Sequence, residues 1–269
     1  MEFRPCIDIH NGKVKQIVGG SLRDTKQEAV ENFVSEQDAA FYANFYKKDG
    51  IRNGHIILLN PPLSPYYEAT KQQAFLALSA YPDGMQIGGG ITALNAKSFL
   101  EAGASHVIVT SYVFCDGAVN YENLKNLTRA VGKQRIVLDL SCRKKADDYY
   151  IVTDRWQKFT TEKVTVDLLD MLMEYADEFL IHAVDVEGKS LGIEKKLVSR
   201  LAEWGKIPIT YAGGIGNFDH LKELKVLGQN KLHVTIGSAL DIFGGNMEYE
   251  KVLQYVMGCA NLDIEMHSK

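Results

Sequence analysis

Short apolar runs alternate with longer amphipathic stretches along the chain. Most of the runs are about four to seven residues rich in Ile, Val and Leu. Continuous apolar runs of this length are typical of strands buried on both faces, as in a parallel sheet covered by helices. We predict such strands over residues 3–9, 55–59, 85–87, 106–109, 136–140, 179–184, 208–212 and 232–236.

Helical periodicity occupies the intervals between several of these strands. We predict helices over residues 94–102, 168–175, 196–204 and 218–227, with Gly103, Gly205 and Gly228 as C-terminal stops. Strand–helix alternation over 269 residues fits a closed (β/α)8 barrel, and it also fits an open doubly wound sheet.

An internal repeat favours the barrel. The segments IDIHNGK, GGGI and VIVTS of the first half return in the same order as LDLSCRK, AGGI and VTIGS. Asp8 and Asp139 are 131 positions apart (139 − 8), and Ser111 and Ser238 are 127 apart (238 − 111). A repeat of about half the chain length indicates two similar halves. We therefore predict a (β/α)8 TIM barrel with a half-barrel repeat, as a single domain over residues 1–269.

Three segments are predicted as long loops or excursions. Residues 18–32 follow the first strand, residues 60–67 (NPPLSPYY) follow the second, and residues 143–156 form a hairpin-like excursion after the fifth. In a barrel, loops that follow strands lie on the catalytic face. We expect these to act as lids over a ligand.

Composition and charge narrow the class of function. Hydrophobic residues make up 46% and charged residues 24%, and the net charge is −4. This balance is ordinary for a globular protein and argues against a nucleic-acid partner. The chain shows neither a secretory signal at its start nor an apolar stretch long enough for a membrane span. We expect a cytosolic monomer that acts on a small molecule.

Cysteine and histidine positions predict no metal site. The four cysteines are far apart and lack paired metal-ligand spacing, which is typical of free thiols in a reducing compartment. The histidines show no ligand spacing either. Cys142, close to Asp139 in the chain, is a weak candidate nucleophile and more simply a buried side chain.

Two glycine-rich turns predict two phosphate cradles. Glycine lets backbone N–H groups approach an anion closely, although a tight turn alone also needs glycine. Each turn is followed by a strand that ends in hydroxyl residues, and a short helix is predicted from residue 239. The candidate phosphate ligands are Gly89, Gly90, Thr110 and Ser111 in the first half, and Gly213, Gly214, Gly237 and Ser238 in the second.

Two aspartates in apolar strands are the candidate catalytic residues. Strand alternation points Cys6 and Asp8 toward the barrel axis, and Val137 and Asp139 likewise. A carboxylate in an apolar strand is costly unless it is paired or functional, so an ion pair with a neighbouring base is the alternative. Surroundings that raise one pKa would suit one general acid and one general base.

Other polar residues near these strand ends are weaker candidates. Trp156 could stack on a planar ligand or anchor its loop, and Arg143 could bind a phosphate or lie exposed. His182 and His10 could bind substrate or be structural. Asp185 and Glu187 could bind ligand hydroxyls or cap the next helix.

Together, IDIHNGKVKQIVGG, QIGGGI, VLDLSCRK, LIHAVDVEGK, YAGGI and IGSALDIFGGN resemble the phosphoribosylformimino-aminoimidazole-carboxamide ribotide isomerases of histidine biosynthesis, in their eukaryotic-type branch. The resemblance extends from residue 7 to about residue 246. It implies a barrel without cofactor that performs an Amadori rearrangement of a bisphosphorylated aminoaldose. It also implies that Asp8 acts as the base and Asp139 as the acid, an order that could be reversed.

The chain departs from the better-known bacterial pattern of this family at three places. Ala183 stands where that pattern has a threonine after strand six, Asn60 stands for an acid after strand two, and Thr92 stands for an arginine after GGGI. His182 or Ser190 could replace the missing hydroxyl. The competing functions are the sister cyclase that forms the imidazole ring, an isomerase that also accepts phosphoribosylanthranilate, and a non-catalytic phosphosugar-binding barrel.

Overall fold

The computed structural model describes residues 1–17, 31–154 and 156–258. Over these ranges the chain forms fifteen strands in three sheets. They are β1 (Cys6–His10), β2 (Lys13–Ile17), β3 (Glu31–Val34), β4 (Gly54–Leu58), β5 (Met85–Gly88), β6 (Val107–Val109), β7 (Phe114–Cys115), β8 (Ala118–Val119), β9 (Ile136–Asp139), β10 (Cys142–Lys145), β11 (Asp148–Thr153), β12 (Lys158–Lys163), β13 (Glu178–His182), β14 (Ile209–Ala212) and β15 (His233–Thr235). The α-helices are α1 (Ala39–Lys48), α2 (Tyr67–Ala80), α3 (Ala96–Glu101), α4 (Tyr121–Val131), α5 (Val166–Leu172), α6 (Lys195–Trp204), α7 (Phe218–Leu227) and α8 (Tyr249–Met257).

The largest sheet contains the predicted barrel. Its parallel strands follow the order β1, β4, β5, β6, β9, β13, β14, β15. A parallel bridge between Phe3 and Val234 joins the last strand to the segment before the first, where the Arg4 amide donates to the Val234 carbonyl at 2.8 Å. The eight predicted strands and the (β/α)8 barrel are therefore confirmed.

Four predicted helices are confirmed as α3, α5, α6 and α7, and helix α6 ends at Gly205 with φ 37°. Helices α1, α2, α4 and α8 were not predicted. None of the helices in the described ranges is long and apolar enough to cross a membrane.

The excursion after the fifth barrel strand is larger than predicted. It forms an antiparallel sheet of β10, β11 and β12 that ends at Lys163. Residues 18–30 of the predicted first loop lie outside the described residues, and the remaining two belong to β3, which pairs with β2.

Apolar side chains divide between the two faces of the barrel wall. Ile7 and Ile9 belong to the large cluster that packs against the helices. A separate small cluster of Ile108, Val137 and Leu180 lies on the other face, inside the barrel. Cys6 and Asp8 alternate with Ile7 and Ile9 and line the interior cavity, which confirms the predicted orientation.

A buried polar layer fills the N-terminal end of the barrel. Nη1 of Arg4 lies 2.5 Å from Oε2 of Glu178, and both side chains are almost fully buried. The Thr210 hydroxyl donates to Glu178 Oε1 at 2.7 Å, and Gln86 Nε2 donates to Oε2 at 3.2 Å. Because every charge here is paired, the layer closes this end of the barrel without an isolated buried ion.

Candidate active site

A cavity of about 1030 Å³ opens at the C-terminal ends of the barrel strands. It is lined by residues from both halves of the chain, as the internal repeat predicts. The predicted site residues in its wall are Asp8, Gly89, Gly90, Thr110, Ser111, Asp139, Trp156, His182, Gly213, Gly214, Gly237 and Ser238.

Asp139, at the end of β9, is tightly hydrogen bonded. Its Oδ1 accepts from Ser141 Oγ at 2.8 Å and lies 3.2 Å from Nδ1 of His182, and its Oδ2 accepts from Thr110 Oγ1 at 3.2 Å. Burial alone would raise the pKa of Asp139, but the His182 charge and the three hydrogen bonds outweigh it and hold the pKa below its ordinary value. This carboxyl is therefore ionised at neutral pH.

Asp8, on β1, has a pKa that is shifted in the opposite direction, upward. Burial and the nearby Glu187 carboxylate raise its pKa to about 7, although the His182 charge opposes them. A carboxylate with this pKa is a stronger base than an ordinary one and is still about half ionised at neutral pH. The two catalytic candidates thus differ in pKa, as one acid and one base require.

His182 holds the proton that Asp139 lacks. Burial would lower the pKa of this imidazole, but the Asp139 charge and hydrogen bond raise it to about 9, with further help from Glu187 and Asp8. The ring centroid of His55 lies 6.0 Å from that of His182. Burial and the His182 charge lower the pKa of His55 to about 3, so that only one of the two rings is protonated.

The two glycine turns have nearly the same backbone geometry. Gly89 and Gly213 have φ of 99° and 109°, and Gly90 and Gly214 have φ of 70° and 81°. A Cβ at Gly89 would lie 2.1 Å from the Leu58 carbonyl oxygen, so only glycine fits there. The repeat therefore extends from the sequence to the backbone that lines each cradle. The short helix expected near Ser238 is a 3-10 turn at Asp241–Phe243.

Trp156 is held in the cavity wall. Its backbone has φ 68°, a conformation that is rare for a bulky residue. The indole Nε1 donates to Ser141 Oγ at 3.0 Å, and the indole ring lies 5.8 Å from the His182 ring. The indole thus reaches Asp139 through the Ser141 hydroxyl and offers a surface for a planar ligand group.

Arg143 and His10 are not among the residues that line the cavity. Nε of Arg143 donates to Asp185 Oδ1 at 2.8 Å, and its guanidinium lies 5.6 Å from the Phe159 ring centroid. Asp185 also accepts from the Lys144 amide at 2.8 Å. This ion pair anchors the β10–β12 sheet to the loop after β13, and the structure does not bring Arg143 to the ligand space.

The three departures from the bacterial pattern have distinct positions. Asn60 is buried and accepts hydrogen bonds from the Asn11 backbone amide and the Thr70 hydroxyl, both at 2.7 Å, so it connects the turn after β1 to helix α2. Ala183 and Thr92 are not part of the cavity lining, whereas Ser190 is. His182, one residue before Ala183, supplies the polar group at the end of strand β13.

Burial raises the pKa of the Cys142 thiol, which argues against a nucleophilic role.

Two further residues of the cavity were underrated or missed in the sequence. Glu187 does not cap α6, whose N-cap is Glu194, and its buried Oε2 has no hydrogen-bond partner among the described residues. His55 was not singled out at all. A signal for it exists, because His55 is a polar residue at the start of the otherwise apolar strand run HIILL, and a polar residue in a buried strand needs a partner or a function.

Comparisons with known proteins identify the family of the chain. A family model described as "Histidine biosynthesis protein" matches residues 2–247. A Medicago truncatula protein named 1-(5-phosphoribosyl)-5-((5-phosphoribosylamino)methylideneamino) imidazole-4-carboxamide isomerase, chloroplastic, is 52% identical over 95% of this chain and 81% of its own length. Isomerases of that name from Neurospora crassa and Saccharomyces cerevisiae are 45% and 44% identical, over 90% and 91% of this chain and 93% and 94% of their own lengths. The chain therefore belongs to the histidine biosynthesis protein family, in the branch of these imidazole-4-carboxamide isomerases.

Proposed function

We propose that this protein is the isomerase of histidine biosynthesis that converts the aminoaldose form of its bisphosphorylated ribotide into the aminoketose form, without a cofactor. The observation that carries the proposal is one cavity with two carboxyls of opposite pKa shift between two glycine cradles. The names of the relatives supply the substrate. We propose that the chain acts as a single domain and a monomer, without a nucleic-acid partner.

The two cradles hold the two phosphates. At each cradle a glycine with positive φ leaves its N–H groups free of Cβ crowding, and a serine hydroxyl faces the same cavity. The first cradle is formed by Gly89, Gly90 and Ser111. The second is formed by Gly213, Gly214 and Ser238. Anchoring both ends fixes the middle of the substrate near the carboxyls, which lowers the entropic barrier to proton transfer.

Ring opening uses the Asp139–His182 pair. A proton moves from the His182 imidazolium to the ribose ring oxygen as the bond from C1 to that oxygen breaks. The lone pair of the substrate nitrogen forms the C1=N bond of a protonated Schiff base. Asp139 orients the ring and stabilises its charge, so the acid is the pair, with its proton on His182. This differs from the expectation that the Asp139 carboxyl itself carries the proton.

Proton transfer from carbon uses Asp8. The ionised Asp8 removes the proton from C2, and the electrons of that bond form the C1=C2 bond of an enolamine. Asp8 then returns a proton to C1, and the C2 hydroxyl gives its proton to the neutral His182 as the ketone forms. Both groups recover their starting protonation, so the cycle needs no external acid or base.

Turnover of the aminoaldose ribotide by Asp8→Asn and Asp139→Asn tests these roles. Each change should lower kcat by about 10²- to 10⁴-fold, while the melting temperature stays near that of the wild type. Asp219→Asn, at a largely exposed side chain, is the matched control. Near-normal turnover by either variant would refute its role. Ammonia-dependent ring closure by the wild type would indicate the sister cyclase, and ligand binding without product would indicate a binding protein.

The cytosolic location stays a prediction. The name of the Medicago truncatula relative places that protein in the chloroplast. Fractionation of cells with an antibody to this chain would decide between the two compartments.

A further inference from the structure

A group of three potential metal ligands lies inside the cavity beside the cradles. Sγ of Cys6, a carboxylate oxygen of Asp8 and a ring nitrogen of His55 all lie within 4.8 Å of one another. Cys6 and Asp8 are on the inner face of β1, and His55 on β4 is the direct register partner of Cys6. Two paired strands therefore hold the three side chains in a fixed arrangement.

The donor set is that of a zinc site. A thiolate, an imidazole and a carboxylate are common zinc ligands, and three protein ligands with a fourth open position are typical of accessible zinc sites. Around one tetrahedral ion, ligand atoms lie about 3.3 to 3.8 Å apart, given bonds of about 2.0 to 2.3 Å. Small side-chain rotations from the present spacing would reach that geometry. Mg²⁺ and Ca²⁺ prefer oxygen ligands and would not be favoured.

Two of the three ligands are not committed to other contacts. Within the described residues, the side chains of Asp8 and His55 make no hydrogen bond, although His55 is only 3% exposed and both line the cavity. The Cys6 sulfur accepts only a long contact of 3.5 Å from Gln16 Nε2. The polar atoms of Asp8 and His55 are not among the buried atoms that lack a partner, so they are open to the cavity, where a ligand can reach them.

The surrounding charge also favours a cation. Besides Asp8, the carboxyls of Glu187 and Asp139 act on these ligands, and the positive charge that acts on Asp8 and His55 is that of His182. A divalent ion would offset the excess of negative charge, which is a physical reason for binding that the phosphate cradles do not provide.

The equivalent positions in the second half of the barrel do not form such a site. Val137 stands 131 positions after Cys6 (137 − 6), at the equivalent place on β9. The equivalent acid, Asp139, is already paired with His182 at 3.2 Å. The second half thus lacks the thiol and has a committed carboxylate, so among the described residues this ligand set is found in the first half alone.

We propose that Cys6, Asp8 and His55 form an inhibitory site for Zn²⁺ or another thiophilic divalent cation. On binding, the thiol proton passes to solvent, and the metal occupies the Asp8 carboxylate and blocks access to it. Binding itself is independent of the function proposed above. Inhibition rests on that function, because it depends on Asp8 as the base.

Titration with Co²⁺, followed by visible absorption, tests binding directly. The wild type should bind one ion per chain at this site with a thiolate-to-cobalt band. Cys6→Ser should lose the band and bind at least about ten-fold more weakly, because loss of a direct ligand should cost no less than the roughly 10-fold cost of losing an outer-shell partner. Cys115→Ser is the matched control, since Cys115 is a half-buried thiol that contacts Asn120 away from the cavity, and it should keep the band. A band of wild-type strength in Cys6→Ser would overturn the site.

Two further measurements keep the test decisive. If circular dichroism shows that Cys6→Ser is not folded, His55→Gln replaces it, with the same expected loss of affinity. Zn²⁺ should inhibit wild-type turnover and a chelator should restore it, whereas Mg²⁺ should have no effect. A wild-type protein that binds no Co²⁺ refutes the metal site and leaves the isomerase proposal untouched. Absence of turnover of the predicted substrate by the metal-free wild type, in a protein that gives the cobalt band when Co²⁺ is added, refutes the isomerase alone.

Discussion

Replacement of His182 by Asn tests where the acid proton resides. The amide of Asn can still donate a hydrogen bond toward Asp139, but it carries no charge and no transferable proton. The pKa of His182 is about 9, against an ordinary value of 6.5, and this difference corresponds to about 3 kcal/mol in favour of the protonated ring. Because the folded pKa is raised, that stabilisation is complete below pH 6.5 and is lost as the pH rises through 9.

The consequence for catalysis is a bell-shaped pH profile. In the wild type, kcat/KM should rise as Asp8 ionises near pH 7 and fall as His182 loses its proton near pH 9. In His182→Asn the descending limb near pH 9 should disappear. The ascending limb should move to higher pH, since the His182 charge lowers the pKa of Asp8. The maximal rate should fall by about 10²- to 10⁴-fold, the range for loss of a general acid.

Steady-state rates between pH 5.5 and 10 measure these limbs, with the folded fraction checked by circular dichroism at each pH. The control is His106→Asn. His106 is also paired with an aspartate, its Nε2 lying 3.3 Å from Asp177 Oδ2, but it is not part of the cavity lining. The control should keep both limbs. A descending limb that remains near pH 9 in His182→Asn would show that another group carries the proton, and the reasoning about the pair would be wrong.

Three other changes separate chemistry, binding and stability. Glu187→Gln removes a charge that raises the pKa of Asp8, so the ascending limb of kcat/KM should move below pH 7, as pH profiles will show. Gly89→Ala should raise KM and lower the melting temperature, because its Cβ would meet a carbonyl oxygen, whereas Gly50→Ala, also at positive φ but in open space, should incur only backbone strain of about 1 kcal/mol. An equal loss in both would contradict the close-approach argument. Glu178→Gln should destabilise the protein by about 3–5 kcal/mol in denaturant unfolding, because buried Arg4 loses its buried carboxylate partner and keeps only the exposed Glu2, and should leave KM unchanged.

The sequence predicts where the side chains of this site lie better than it predicts their protonation states. Asp8 and the glycine cradles could be placed because strand alternation and an internal repeat are regular along the chain. The protonation states could not be predicted, because the pKa of Asp8 depends on burial and on Glu187, which lies 179 positions later (187 − 8) in the chain. Arg143 illustrates the same limit. Its type and place suggested a phosphate ligand, but its partner, Asp185, is set by how the β10–β12 sheet folds back.

In the fold, too, some elements could be predicted from the sequence and others could not. The barrel strands were predictable because a strand buried on both faces must be apolar throughout. Helix α2, by contrast, carries polar residues around much of its surface and begins at the end of a segment with three prolines, so no helix was predicted there. Its packing against α1 and the barrel compensates for the weak pattern.

The asymmetry of the active site arises from a symmetric framework. Each half of the barrel supplies an inward aspartate and an inward histidine, Asp8 with His55 and Asp139 with His182. The aspartates are at equivalent positions, but the histidines are not: His55 lies two residues before the register partner of Asp8, whereas His182 lies two residues beyond that of Asp139. Only the second pair is hydrogen bonded, and its protonated imidazole lowers the pKa of the other histidine. One proton is therefore stored on one side of the cavity, while the opposite carboxylate, next to Glu187, becomes a stronger base. Duplication explains why the two aspartates lie at equivalent places in the two halves. The different strand positions of the two histidines, together with Glu187, explain why one side can donate a proton while the other can accept one.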